Sequence, residues 1–183
     1  MIDPREQLWS QMQAVAERVL SHPKDLEPRE PFRWYGSLLR LWHRPSYGPL
    51  TSWTIGVLTR SHDSGETPLV REVSWDRDAD HQRIFQAMAK PSDRLQLALR
   101  VRDAELPEPE LSRLLTAGQQ LAVPLLVFSR QVGLEGDYWG LETYESSPYV
   151  QAQWWGDGPL EWRHFLDWVT QLRQFLLGCL AEK

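Results

Sequence analysis

The sequence has little cysteine, no excess of positive charge and no long apolar run, and each absence removes a class of protein. The single cysteine, Cys179, excludes an intrachain disulfide and any multi-cysteine zinc site. That suits a reducing compartment. A net charge of -5 and a pI near 5.5 leave no basic face of the kind a nucleic-acid binder presents, so no nucleic-acid partner is expected. No stretch approaches the roughly 18 consecutive apolar residues of a membrane span, so no membrane partner is expected either. The opening Met1-Ile2-Asp3-Pro4-Arg5-Glu6 is charged and leads into a polar helical pattern, unlike a signal peptide, which points to the cytoplasm.

Motifs that carry chemistry are also missing. There is no Gly-x-Ser-x-Gly elbow, no Walker-type Gly-Lys-Ser/Thr and no phosphate-cradling glycine-rich loop. The histidines, His22, His43, His62, His81 and His164, pair at no metal-helix spacing and read as surface residues. Asp76-Arg77-Asp78-Ala79-Asp80-His81 alternates acids as a calcium loop does. Its sixth position, however, is His81 instead of glycine, and its twelfth is Ala87 instead of glutamate. It reads as an acidic helix start favoured by the helix dipole. Glu72 with Asp76, or Glu142 with Glu145, could form a hydrolytic pair only if the fold joined them in a cleft. No catalytic, cofactor-binding or metal-binding residue is assigned, and no cofactor is expected.

What is present fits one α+β domain over residues 1–183. Asp3 caps a first helix with a stripe of Leu8, Met12, Val15 and Val19, widened by Trp9, Ala16 and Leu20 and ended by His22-Pro23. Strand-like runs follow at Phe32–His43, Ser52–Arg60 and Leu69–Trp75, joined by turn clusters at Pro45–Pro49 and His62–Glu66, which favours an antiparallel meander. Asp78 opens a short helix through Met88, which Pro91-Ser92 ends. Leu95, Leu97, Leu99 and Val101 then alternate with polar residues as one buried strand face. Pro107 and Pro109 introduce a helix with Leu111, Leu114, Leu115 and Leu121, followed by a short strand at Leu125–Phe128. After a turn at Gly133–Asp137, Tyr138–Tyr144 and Tyr149–Trp155 form a hairpin bent at Ser146-Ser147-Pro148. Gly156-Asp157-Gly158-Pro159 stops it. A last helix then places Trp162, Phe165, Leu166, Val169, Leu172, Leu176, Cys179 and Leu180 on one stripe, with Trp168, Phe175 and Leu177 off it. The expectation is an antiparallel or mixed sheet of about six to seven strands, with N- and C-terminal helices packed on it.

Two features stand out against this frame. Residues 131–183 hold three basic and eight acidic side chains, so the acidic excess sits in the last third. It reads either as a solvated surface or as a face for a basic partner. Tryptophan is the second, with 10 residues spread along the chain. Core packing accounts for most of them, Trp162 included. In the adjacent pair Trp154-Trp155, a strand would aim the two rings at opposite faces. One ring could then face outward beside Asp157 and Glu161 as an interface anchor, or a sheet covered on both sides could bury both.

Gly133-Leu134-Glu135-Gly136, Tyr138-Trp139-Gly140-Leu141 and Trp154-Trp155-Gly156-Asp157-Gly158-Pro159 with Trp162 resemble a C-terminal module of uncharacterised bacterial proteins. Glu135 stands where that module has Asp. The resemblance covers about residues 125–180. Its motifs are turns and the tryptophans that pack them, so no functional residue transfers. Such proteins are similar in build to small immunity proteins, which neutralise secreted toxins by binding them.

The expectation is therefore a cytoplasmic protein-binding module, in its sharpest form an immunity-type inhibitor. It would occlude a basic partner surface through Trp154, Trp155, Asp157 and Glu161. The alternatives are an enzyme for a small ligand in an aromatic-lined pocket, and an assembly or chaperone component.

Overall fold

A computed structural model describes residues 3–23, 26, 32–60, 63–86, 96–124, 136–144 and 149–181. The side chains of 32–35, 59–60 and 63–65 lie outside that description. In chain order the elements are α1 (Pro4–Ser21), β1 (Phe32–Arg44), β2 (Leu50–Arg60), β3 (Asp63–Trp75) and α2 (Arg77–Gln86). They are followed by β4 (Leu99–Glu105), α3 (Glu108–Gln119), β5 (Tyr138–Thr143), β6 (Gln151–Trp155) and α4 (Arg163–Ala181), with a 3-10 turn at Leu160–Trp162 leading into α4.

The sheet runs β4-β3-β2-β1-β5-β6, and every neighbouring pair is antiparallel. The order follows from the connections. β1, β2 and β3 form a meander because their links are short, and β5 and β6 form the second hairpin, added on the free side of β1. Alternation then sorts residues to two covered faces. Leu39, Leu41, Trp53, Ile55, Val70 and Leu141 face α3 and α4 in the larger core. Leu50, Val73 and Trp75 face α1. α4 begins beside β6, where Phe165 meets the Trp154 ring edge-on at 5.5 Å, and crosses the sheet as far as β4. Leu172 and Leu176 at its centre have no exposure. Truncating such a leucine to alanine costs about 2–5 kcal/mol.

This is the α+β architecture that the apolar periods imply, an antiparallel sheet with terminal helices on it. Trp168, expected off the stripe of the last helix, is buried because α3 covers that side, and its indole N–H donates to the Leu114 carbonyl at 2.8 Å. Gly118 makes room for it, since a Cβ there would stand 2.5 Å from the ring. Gly156 (φ 55°) and Gly158 (φ 71°) take the left-handed backbone that ends β6, which explains the hard stop in the sequence.

Several details differ from the expectation. On α1 the buried stripe is Met12, Ala16, Val19 and Leu20, while Val15 is 44% exposed; the helix turns its 3.6-residue period one position away from Val15. The cap of α2 is Asp76, not Asp78: Asp76 Oδ1 accepts the Ala79 N–H at 2.9 Å. Asp80 stands in the acidic first turn of α2 as expected, yet it has no exposure and accepts from Trp75 Nε1 and the Ala98 N–H. Residues 63–66 are strand, not turn, because they pair with the end of β2. Val101 is exposed although it alternates correctly, because β4 is the outer strand and α1 packs on β2 and β3. Trp162 lies in the 3-10 turn before α4 and is half-buried. The expected strand at Leu125–Phe128, Met88, Pro91-Ser92, Leu95, residues 133–135 and the bend at Ser146–Pro148 lie outside the described residues. No helix among the described residues is long and apolar enough to cross a membrane.

Candidate functional site

Strand β6 is an edge of the sheet formed by the described residues, and it separates the tryptophan pair. Trp154 pairs with Trp139 on the face that α4 covers and is 7% exposed. Trp155 pairs with Tyr138 on the opposite face and is 37% exposed. Apart from Trp34, whose side chain is not described, every other tryptophan is buried or half-buried. The Trp155 ring lies 5.9 Å from that of Tyr138, whose hydroxyl bonds Gln153 Oε1 at 2.6 Å. It rests over Gly136, where a Cβ would come within 2.7 Å of Trp155 Nε1. The ring is therefore held in place while part of it faces solvent.

Just beyond the strand, Asp157 and Glu161 are exposed, and Leu160 is 79% exposed. Neither acid forms an ion pair among the described residues. Of the four residues marked by sequence, Trp155, Asp157 and Glu161 are exposed within one short stretch, while Trp154 points into the core.

A second cluster lies on the α4 side of the sheet, and sequence reasoning missed it. Arg173 reaches from α4 so that its guanidinium carbon lies 5.1 Å from the ring centre of Trp139 and 5.6 Å from that of Trp53. Each is within range of a cation–π attraction. Its Nε is buried and without a hydrogen-bond partner. His43 stacks on Trp139 with ring centres 3.8 Å apart and planes 17° apart. His43 Nε2 stands 3.0 Å from Asp137 Oδ2, yet no aligned hydrogen bond forms, so this is a charge contact only when the imidazole is protonated. Burial lowers the His43 pKa, and the Asp137 carboxylate only partly opposes it. The sequence held one signal for Arg173. It falls on a half-buried stripe with Leu166 and Leu177, where a surface arginine is out of place.

The carboxylates considered as catalytic pairs have other partners. Glu72 accepts from Trp53 Nε1 at 3.0 Å and from Arg102 through two 2.8 Å bonds, while Asp76 caps α2. Glu142 bonds Arg40 at 2.8 Å and Tyr144 at 3.2 Å, and Glu145 lies outside the described residues. Burial pushes the Tyr144 hydroxyl up to about 12, so it stays protonated. Among the described residues no three His, Cys, Asp or Glu side chains gather as metal ligands would.

Cavities flank α4 among the described residues. One of about 700 Å³ is apolar, lined by Leu38, Leu115, Val123, Val150 and Phe165 among others, and it offers no convergent charged groups. Another, of about 300 Å³, lies between Trp139, Trp154, Asp157, Asp167 and Arg173. Comparison with protein-family models, with curated proteins and with solved structures found no match.

Proposed function

We propose that this chain is a protein-binding module that seats Trp155 and Leu160 on a partner and meets a basic surface with Asp157 and Glu161. The observation that carries this reading is Trp155 itself. Among the described side chains it is the exposed tryptophan, it is pre-positioned by Gly136 and Tyr138, and it stands on the edge of the described sheet beside acids that form no ion pair among the described residues. A held aromatic costs little side-chain entropy on binding, and tryptophan is enriched among residues that dominate interface energy. At the edge of the sheet formed by the described residues, β6 offers further backbone donors and acceptors to a partner. An acidic rim speeds encounter with a basic partner.

The sharper form is an immunity-type inhibitor that covers the basic active site of a toxin. The acidic last third of the chain and the resemblance of its C-terminal motifs support it.

The test is affinity capture from native lysate with the tagged chain, with Trp155→Ala and with Tyr47→Ala, a control at another exposed aromatic. The reading expects a stoichiometric basic partner that Trp155→Ala loses and Tyr47→Ala keeps, and whose activity the wild-type chain suppresses. A partner retained equally by both variants, no stoichiometric partner, or self-association alone would overturn it.

A further inference from the structure

The walls of the 300 Å³ cavity carry unpaired charges of both signs. Asp157 and Asp167 supply carboxylates, Arg173 a guanidinium, and Trp139 and Trp154 aromatic sides. Arg173 and Asp167 lie six positions apart on α4, which is about 9 Å of axial rise. That is beyond the i,i+3 and i,i+4 spacings at which helix side chains meet. None of the three forms an ion pair among the described residues. Thr170, between Asp167 and Arg173, turns its hydroxyl onto the Leu166 carbonyl at 2.9 Å and bridges nothing. The Arg173 guanidinium lies instead over the rings of Trp53 and Trp139.

Such a cavity discriminates by charge. A simple anion would satisfy Arg173 and leave two carboxylates facing it. A simple cation would satisfy the carboxylates and be repelled by Arg173. A small molecule bearing both charges a short distance apart satisfies both ends at once. The volume is at the bottom of the roughly 300–1,000 Å³ range of small-molecule sites, which favours a compact ligand.

We propose that this cavity binds a zwitterion of the α-amino-acid type. Its carboxylate lies on Arg173 and its ammonium on Asp167 and Asp157. Its side chain rests against Trp139 and Trp154. The site shares Asp157 with the protein-binding face, but Arg173 and Asp167 lie outside that face, so variants at these two positions test it alone.

The experiment is calorimetric titration of the full chain with L-leucine and L-phenylalanine, and with two half-ligands, 3-phenylpropionate and phenethylamine. One site per chain is expected for an amino acid. Each half-ligand should bind at least about tenfold more weakly, as the loss of one charge-assisted hydrogen bond requires. Arg173→Met and Asp167→Asn should each weaken binding by a similar factor. Arg173→Met also removes packing between two tryptophans, so the exposed Asp167 keeps the test independent of folding. Saturating L-phenylalanine should raise the Tm of the wild-type chain and raise that of Asp167→Asn by less at the same concentration. Equal binding of 3-phenylpropionate would make this an anion site, equal binding of phenethylamine a cation socket, and either overturns the proposal. So does the absence of both heat and a Tm shift with the two amino acids.

Discussion

The Trp42 ring occupies the space that any side chain at Gly140 would need: a Cβ on Gly140 would meet Trp42 Cζ2 at 2.1 Å. The two residues are direct partners across β1 and β5. Trp42 is 6% exposed and tilted against Tyr138 at 5.3 Å, so its ring has little room to retreat. Gly140→Ala should therefore destabilise the chain by about 1–3 kcal/mol, the usual cost of overpacking. The double change Gly140→Ala with Trp42→Leu should recover part of that loss. Urea unfolding of the three variants measures it, and a Gly140→Ala protein as stable as wild type would contradict the geometry.

Arg71 ties three parts of the chain together. Its side chain is 2% exposed, and its Nε and Nη2 donate to the two oxygens of Asp103, each at 2.8 Å. Nη1 donates to the carbonyls of Pro23 and Leu26, beyond the end of α1. Arg71→Met should cost about 3–5 kcal/mol, because it strands buried acceptors and a carboxylate. Arg71→Lys should recover only part of this, since an ammonium cannot form the two-pronged pair. Asp103→Asn should cost less than Arg71→Met, because Asp103 is 31% exposed and water can replace its partner. Chemical denaturation ranks the three, and a reversed order would refute this account of the clamp.

These two relationships mark the boundary of what the sequence made legible. Local signals were readable because their causes are local. Asp3 does cap α1, accepting the Arg5 N–H at 2.9 Å, and the two hairpins sit where turn residues punctuate alternating runs. The opposed rings of Trp154 and Trp155 follow from the pleat alone. The Trp42–Gly140 fit, the Arg71 clamp and the His43–Trp139 stack join residues far apart in the chain. They arise only once β5 is added beside β1 and α1 is laid on β3, and no period in the sequence records that choice. His43 read as a surface histidine for this reason, since the ring that covers it enters the chain much later, with β5. Asp80 does fall in the acidic first turn of α2, but its burial was not legible, because it depends on Trp75 and on the strand approach at Ala98.

His43 gives the chain a pH dependence of definite sign. Burial lowers its pKa in the folded state from 6.5, against the opposing pull of Asp137, and the nearby Arg173 charge lowers it further. A histidine harder to protonate when folded leaves full stability above the unfolded value. Stability is lost as pH falls below 6.5 toward the folded pKa, because the unfolded chain takes up the proton first. His43→Phe keeps a ring against Trp139 and removes the titration. Between about pH 8 and pH 5 the wild-type Tm should fall more steeply than that of the variant, with the divergence confined to the acid side. Parallel curves would show that His43 is not held neutral by the fold.

The tryptophan pair separates stability from binding. Trp154 touches Phe165 and lies in the larger core, so Trp154→Ala should cost about 3–5 kcal/mol, as removal of a buried aromatic does. Trp155 loses only its contact with Tyr138 and its seat over Gly136, so Trp155→Ala should cost about 1 kcal/mol or less. Partner affinity should show the opposite order among folded variants. Trp155→Ala should weaken binding by about 2 kcal/mol or more, the threshold of an energetically dominant interface residue. The conservative Trp154→Phe, which keeps an aromatic in the core, should leave binding near wild type. Thermal unfolding and titration against the captured partner read the two effects separately. Were Trp155→Ala to lose stability as Trp154→Ala does, its ring would belong to the core and the proposed interface would have no anchor.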